Sequence, residues 1–420
     1  MSPPAEATAS AETVYRREHG RIIASLIRLS GSFDRAEEAM QEAFAAALRH
    51  WAERGVPDNP AAWIMTAAYR KLIDAKRRER TRREKQALLE HELAIEATED
   101  PVLPEALSLE IPDDRLRLIF TCCHPALNRE AQIALTLRTL GGLSTAEIAR
   151  AFLVPESTVA QRIVRAKRTL SEAKVPFEVP RGAELEARVS TVLKVIYLIF
   201  NEGYSATAGD DWVRPALCED ALRLGRILTG LMPAAAEVHG LVALMEIQAS
   251  RLRARVGPSG EPVLLLDQDR ARWDQLLIRR GLAALARAEQ LAESRGAYTL
   301  QAAIAACHAR AHVAEETDWA RIAALYEVLA GIVPSPVVEL NRAVAVAMAA
   351  GPLAGLALVD ALIAEPSLEG YHLLPSVRGD LLEKLGRVDE ARAEFERAAA
   401  LTRNARERDL LLARAAACTG

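Results

Sequence analysis

The stretch from Leu143 to Leu170, LSTAEIARAFLVPESTVAQRIVRAKRTL, admits few local structures. Ser144 and Thr145 stand where a helix N-cap belongs, Glu147 supplies a first-turn carboxylate, and Ile148, Ala149 and Phe152 recur at helical spacing. Val154 and Pro155 end that helix, and Pro155, with its preset φ, suits the opening turn of another. In the second helix Val159, Ile163, Val164 and Leu170 are predicted to face inward. Ser157, Thr158, Gln161, Arg162, Arg165 and Arg168 are predicted to face outward. Two short helices joined by a tight turn, the second with hydrogen-bonding and cationic side chains on its outer face, read as a helix-turn-helix. Arg and Gln can read purine edges in a major groove, while Ser, Thr and Lys can hold phosphates. Leu153 occupies the turn position where glycine is usual, so the turn either lacks a left-handed residue there or carries a small strain.

A second basic element lies upstream, in WIMTAAYRKLIDAKRRERTRREK from Trp63 to Lys85. Between Arg70 and Lys85 it holds nine Lys or Arg against three acids, a net +6, in a chain whose formal total is −4. Charge runs are often only solvated faces. This one continues a helix whose apolar side is Trp63, Ile64, Ala67, Leu72 and Ile73, and such concentration of cations is the footprint of a phosphate-binding surface.

Before it, Asp34 to Phe44, DRAEEAMQEAF, begins an amphipathic helix with Ala36, Ala39, Met40, Ala43, Phe44 and Leu48 on or near one face and acids on the other. The order of acidic helix, Pro-bounded loop, basic helix, acidic spacer and helix-turn-helix resembles an extracytoplasmic-function (ECF) sigma factor of the sigma-70 family. The carriers are DRAEEAMQEAF, NPAAWIMTAAYRKLIDAKRR and LSTAEIARAFLVPESTVAQRIVRAK, and the likeness covers residues 14–171. It implies a core-polymerase surface at Asp34, Glu38, Gln41 and Glu42, where exposed carboxylates would meet a basic helical clamp on the large polymerase subunit. It implies −10 promoter contacts from Asn59, Trp63, Tyr69, Arg70, Lys71, Arg77 and Arg78, with the loop from Trp51 to Asn59 holding a flipped base. It implies −35 contacts from Thr158, Gln161, Arg162 and Arg165 to bases, and from Ser157, Lys167 and Arg168 to phosphates. Trp63 fits a core position as well as a stacking one.

From Gln86 to Pro112 there are seven acids, no Lys or Arg, and three prolines, a composition poor at forming a core. In the family that linker threads the RNA-exit path of polymerase, where an acidic strand would imitate RNA; a plain inter-domain linker fits the composition equally. From Ala183 to Gly420 the text is Ala/Leu/Arg-rich and helix-periodic. Gly379, Leu382, Ala391, Phe395 and Ala398 fit a tetratricopeptide (TPR) pattern. An offset of 36 residues gives Ala343, Val346, Gly355, Val359 and Leu362, and a further one gives Cys307, Arg310, Trp319, Ala323 and Tyr326, where Arg310 breaks the pattern. Stacked repeats of this length form a groove for a protein or peptide ligand. NEGYSATAGDDW, LLLDQDRARWD and GAYTLQAAIAACHA resemble signature stretches of sigma factors with a TPR-like C-terminal extension, which in that group governs activity. The expected organisation is an all-α chain: disordered tail 1–13, sigma-2 domain 14–85, acidic linker 86–112, sigma-4 domain 113–175 and TPR-like regulatory extension 183–420.

Acids and aromatics at Asn201, Glu202, Tyr204, Asp210, Asp211, Asp267, Gln268, Asp269, Arg270, Trp273 and Asp274 match no ligand or glycosidase spacing, and acids at helix starts are ordinary N-caps. No catalytic residue, metal or cofactor is expected. The five cysteines include no C-x-x-C, and Cys122-Cys123-His124 is too crowded for tetrahedral zinc and reads as helix-end core, which suits a reduced cytoplasm. No run of 18 apolar residues suggests a membrane span. The expected partners are core RNA polymerase, through its beta and beta-prime subunits, and promoter DNA. The alternative is a polymerase-independent helix-turn-helix regulator with a helical-repeat sensor, which would have no use for the Asp34 to Phe44 helix.

Overall fold

The computed structural model describes residues 3–88, 112–152, 154–206, 208–209 and 211–418. The chain is all-α and divides into two compact units, Met1–Arg150 with Val154–Val192, and Leu193–Gly420 with Ala151–Leu153. The first unit contains α1 (Pro3–Ser30), α2 (Phe33–Arg54), α3 (Pro60–Leu88), α4 (Pro112–Cys122), α5 (Arg129–Thr136), a π-turn (Leu137–Gly141), all but the last two residues of α6 (Thr145–Phe152), and α7 (Glu156–Glu172). The division falls within α8 (Ala183–Tyr204), beyond the expected start of the extension at Ala183.

Local chemistry explains the boundaries. The Ser32 hydroxyl accepts the Arg35 amide at the start of α2, and Gly55, at φ 84°, ends it by donating its N–H to the Trp51 carbonyl. Asn59 caps α3 through the Ala62 amide, and Asn128 caps α5 through the Ala131 amide. Ser144 and Glu147 form a reciprocal capping box: the Ser144 hydroxyl accepts the Glu147 amide at 3.1 Å, and the Glu147 carboxylate accepts the Ser144 amide at 2.7 Å.

Helices α1, α2 and α3 pack on one another around Ile22, Ile23, Leu26, Met40, Ala43, Trp51 and Ile64, each nearly or fully buried. At about 1.5–3 kcal/mol per large apolar side chain removed from water, this cluster is the main source of local stability. The tail expected over residues 1–13 is, from Pro3 on, the first part of α1. Its Ala-rich text has high helix propensity, and Ala7, Ala11 and Val14, at i, i+4 and i+7, are buried. The acidic linker expected over 86–112 falls mainly on residues 89–111, outside the described residues, as do Leu153 and Asp210.

The second unit continues with α9 (Pro215–Leu231), α10 (Ala236–Ala249), α11 (Gln275–Leu291), α12 (Ala297–Arg310), α13 (Trp319–Ile332), α14 (Pro336–Ala350), α15 (Pro352–Ala361), α16 (Leu373–Lys384), α17 (Val388–Leu401) and α18 (Ala405–Ala417). From α9 to α18 each helix packs against the next. Equivalent small residues set two of these approaches. A Cβ on Gly379 would stand 3.2 Å from the Ala391 carbonyl oxygen, and one on Gly355 would stand 2.7 Å from that of Ala343, so the α16–α17 and α14–α15 pairs meet through positions offset by 36 residues. Two short segments, β1 (Ala208–Gly209) and β2 (Arg403–Asn404), pair in parallel. The Asn404 amide donates to the carbonyls of Ala206 and Asp211, tying the loop after α8 to the start of α18.

Candidate nucleic-acid interface

Helix α7 is split along its length. Val159, Ile163, Ala166 and Leu170 are buried, whereas Ser157, Gln161, Arg165 and Arg168 are exposed and Thr158, Arg162 and Lys167 are half-buried. Val164, expected inside, is 64% exposed, and Ala166 takes the inward position. The reason is angular: at 3.6 residues per turn, positions 159, 163, 166 and 170 form one stripe, and 164 falls beside it. Arg168 pairs with Glu172 at 2.6 Å within the helix. Arg162 and Arg165 form no ion pair among the described residues. On α6 the inward residues Ile148 and Ala149 are buried and Phe152 is half-buried.

Helix α3 presents Arg70 and Arg77 to solvent, with Tyr69, Lys71 and Trp63 half-buried and Asn59 exposed at its N-cap. The Arg78 side chain lies outside the described residues. Trp63 stacks on His50 with ring centroids 5.5 Å apart and meets Trp51 edge-on at 5.6 Å, so it rests on the α2–α3 core with part of its surface free. Aromatic surface beside cations suits unpaired bases and their phosphates.

On α2, Asp34, Glu38 and Gln41 are exposed and Glu42 is half-buried. The structure links these carboxylates to the basic residues. Lys71 lies 3.2 Å from Glu42. Both ends are more than 40% exposed, so solvent screening leaves the pair worth under about 1 kcal/mol. Lys167 lies 3.1 Å from Asp34 and 2.8 Å from Glu37, and only 12% of its side chain is exposed. Sequence reasoning missed Glu37, since nothing in DRAEEAM distinguishes the carboxylate that points toward α7 from the one beside it.

Other contacts hold α4 and the π-turn against α1. Arg28 pairs at 2.8 Å with the buried Asp114, and Gly20 approaches the Leu140 carbonyl so closely that a Cβ would stand 3.1 Å from it. Cys122 and Cys123 are buried at the end of α4 beside the hydroxyls of Thr139 and Thr136. Burial pushes both thiols up, Cys123 to about 12, so they stay protonated and serve as core. Asp269 and Asp274 are N-caps: Asp269 accepts the Ala271 amide, and Asp274 accepts those of Leu276 and Leu277.

Comparison with known families falls on these same elements. Sigma-70 region 2 matches residues 14–82, sigma-70 region 4 matches residues 117–170, and a family of unknown function, DUF6596, matches residues 188–289. The chain is 45% identical over 385 residues to an uncharacterized protein of Rhizobium meliloti (strain 1021), a match covering 91% of this chain and 90% of that protein. No solved structure matches the chain. An amphipathic acidic helix, a basic helix and a helix-turn-helix, matched in that order by regions 2 and 4, make this a promoter-specific transcription factor rather than an enzyme. The two matched regions support a sigma-70 family sigma factor and imply interaction with core RNA polymerase and promoter DNA. No described helix is long and apolar enough to cross a membrane.

Proposed function

We propose that this sigma-70 family member is of the ECF type and that its C-terminal extension, built of TPR-like helix pairs, controls its activity in the cytoplasm. Asp34, Glu38, Gln41 and Glu42 bind core polymerase by charge complementarity with a basic clamp. Asn59, Trp63, Tyr69, Arg70, Lys71, Arg77 and Arg78 capture and hold the opened −10 strand. Binding energy from stacking and phosphate contacts offsets the unstacking of a few base steps. Thr158, Gln161, Arg162 and Arg165 reach −35 base edges, with Ser157, Lys167 and Arg168 on the backbone. The observation that carries this reading is the division of α7 into a buried apolar stripe and an outer face with Gln161, Arg162 and Arg165 ready for hydrogen bonding. Support for the repeat assignment is the recurrence of the close approach at Ala343/Gly355 and Gly379/Ala391. A peptide or protein segment is the ligand such a groove takes.

The test is promoter-dependent transcription by full-length protein with purified core polymerase on a library of random upstream sequences. Specific transcripts are expected. Arg162→Ala should relax discrimination at one −35 position by roughly 1–3 kcal/mol while leaving polymerase association intact. Glu38→Lys should weaken association and leave DNA affinity unchanged or raised. Salt-sensitive DNA binding with no polymerase association would instead establish a stand-alone regulator.

A further inference from the structure

The extension buries arginines that pair with no carboxylate among the described residues. Arg251 and Arg270 are each only 8% exposed, and Arg255 is half-buried at the same locus. Arg251 donates to the Tyr204 hydroxyl and to Gln248. Arg270 is committed to the backbone, donating to the carbonyls of His308 and Ala311 and to the Thr317 hydroxyl. Arg255 makes no side-chain hydrogen bond among the described residues; its guanidinium lies 3.9 Å from the centroid of Tyr204 and 5.4 Å from that of Trp212. None of the three forms an ion pair among the described residues. The carboxylates felt by Arg270 are the more distant Glu315 and Glu316.

The aromatic rings knit the cations together. Arg251 lies 5.7 Å from the Tyr204 ring and 5.5 Å from the Trp273 ring, which also faces Arg270 at 5.1 Å. Cation–π contacts give each guanidinium about 0.5–2 kcal/mol, less than the several kcal/mol that burying an unpaired charge costs. Among the described residues, several buried polar atoms have no hydrogen-bond partner: the Nε of Arg251, Arg255 and Arg270 and the indole N–H of Trp212 and Trp273. Desolvation first, and then a neighbouring cation, lowers the proton affinity of two of them: Arg255 acts on Arg251, and Arg251 on Arg270. A buried donor left unpaired calls for an acceptor from outside the protein, whether water, an ion or a ligand.

We propose that Arg255 and Arg251, walled by Tyr204 and Trp212, form a binding site for a small phosphate-bearing anion. A dianion balances both guanidinium groups, where a single carboxylate balances one. Arg presents planar forks matched to phosphate oxygens, and the free indole N–H of Trp212 adds a neutral donor. Arg255, half-buried and with no side-chain hydrogen bond among the described residues, meets the ligand first, and Arg251 completes the charge balance. Arg270 positions Trp273 and does not touch the anion. The site gives the extension a chemical input independent of how the rest of the chain engages DNA.

Isothermal titration of the full-length protein at constant ionic strength tests this, with inorganic pyrophosphate, inorganic phosphate, adenosine diphosphate and acetate as probes. Saturable one-site binding of pyrophosphate is expected, with none of acetate. Arg255→Gln should weaken it by about tenfold or more, with Arg255→Lys between the two, and circular dichroism should show both variants folded. Adenosine diphosphate binding tighter than pyrophosphate, with the difference lost in Trp212→Leu, identifies a nucleotide stacked on the indole; equal affinities identify a free phosphate compound. The proposal is overturned if no phosphate probe gives saturable heat, if acetate binds as well as pyrophosphate, or if Arg255→Gln binds pyrophosphate like the unaltered chain.

Discussion

The ammonium of Lys167 sits 2.8 Å from the Glu37 carboxylate, joining the helix matched to sigma-70 region 4 to one matched to region 2. With 12% and 18% of their side chains exposed, these groups are largely withdrawn from solvent, so the pair is held more firmly than Lys71–Glu42. Asp34, the second partner of Lys167, is 82% exposed. Lys167 is clasped by these carboxylates, so its charge is not free in this arrangement for the DNA contact proposed for it, whereas Asp34 stays open to solvent.

The clasp predicts an asymmetric mutational pattern. Lys167→Met should cost roughly 1–2 kcal/mol in urea unfolding, and Asp34→Asn under about 0.5 kcal/mol, because screening weakens the exposed pair. A double-mutant cycle between Lys167→Met and Glu37→Gln should return a coupling of about 1 kcal/mol. A coupling indistinguishable from zero would show that the pair does not contribute.

Ser144 and Glu147 satisfy each other's orphan donors at the start of α6. Ser144→Ala should lose about 1 kcal/mol of stability, and Ser144→Asp should recover most of it. Equal stability in the alanine variant, measured by denaturant unfolding, would count against the capping box as the reason α6 starts there.

The imidazole of His308, 8% exposed and edge-on to Trp319, is pushed down to about 3 by burial first and then by Arg251 and Arg270. A folded-state value below the unfolded 6.5 means that the unfolded chain takes the proton first. Stability is therefore full above about pH 6.5 and falls as pH drops toward 3, at up to about 1.4 kcal/mol per pH unit from this group. Thermal melts between pH 7.5 and 5 should show that slope, and His308→Gln should flatten it. An unchanged slope in the variant would assign the pH dependence to other groups.

A Cβ on Gly355 would press on the Ala343 carbonyl, a backbone atom that cannot swing away. Gly355→Ala should destabilise the α14–α15 pair by about 1–3 kcal/mol despite alanine's higher helix propensity. Gly331→Ala, where nothing lies within 4 Å, is the control and should be neutral or stabilising.

Periodicity and capping chemistry are local, so sequence alone carried much of this protein. The helix-turn-helix boundaries, the Ser144 cap, the acidic and basic faces of α2 and α3, and the small-residue repeat at Ala343/Gly355 and Gly379/Ala391 were all readable, because neighbours a few residues apart decide them. What depended on distant partners was not. Val164 reads as an apolar core residue until the angular position of Val159, Ile163, Ala166 and Leu170 is fixed. The Pro/Ala-rich start reads as a tail until Ala7 and Ala11 are seen to be buried. Composition identifies neither Glu37 as the carboxylate under Lys167 nor Arg251 and Arg255 as cations gathered around Tyr204. Those pairings join residues tens to more than a hundred positions apart, and only tertiary packing decides which charges are brought together and which are left without a partner.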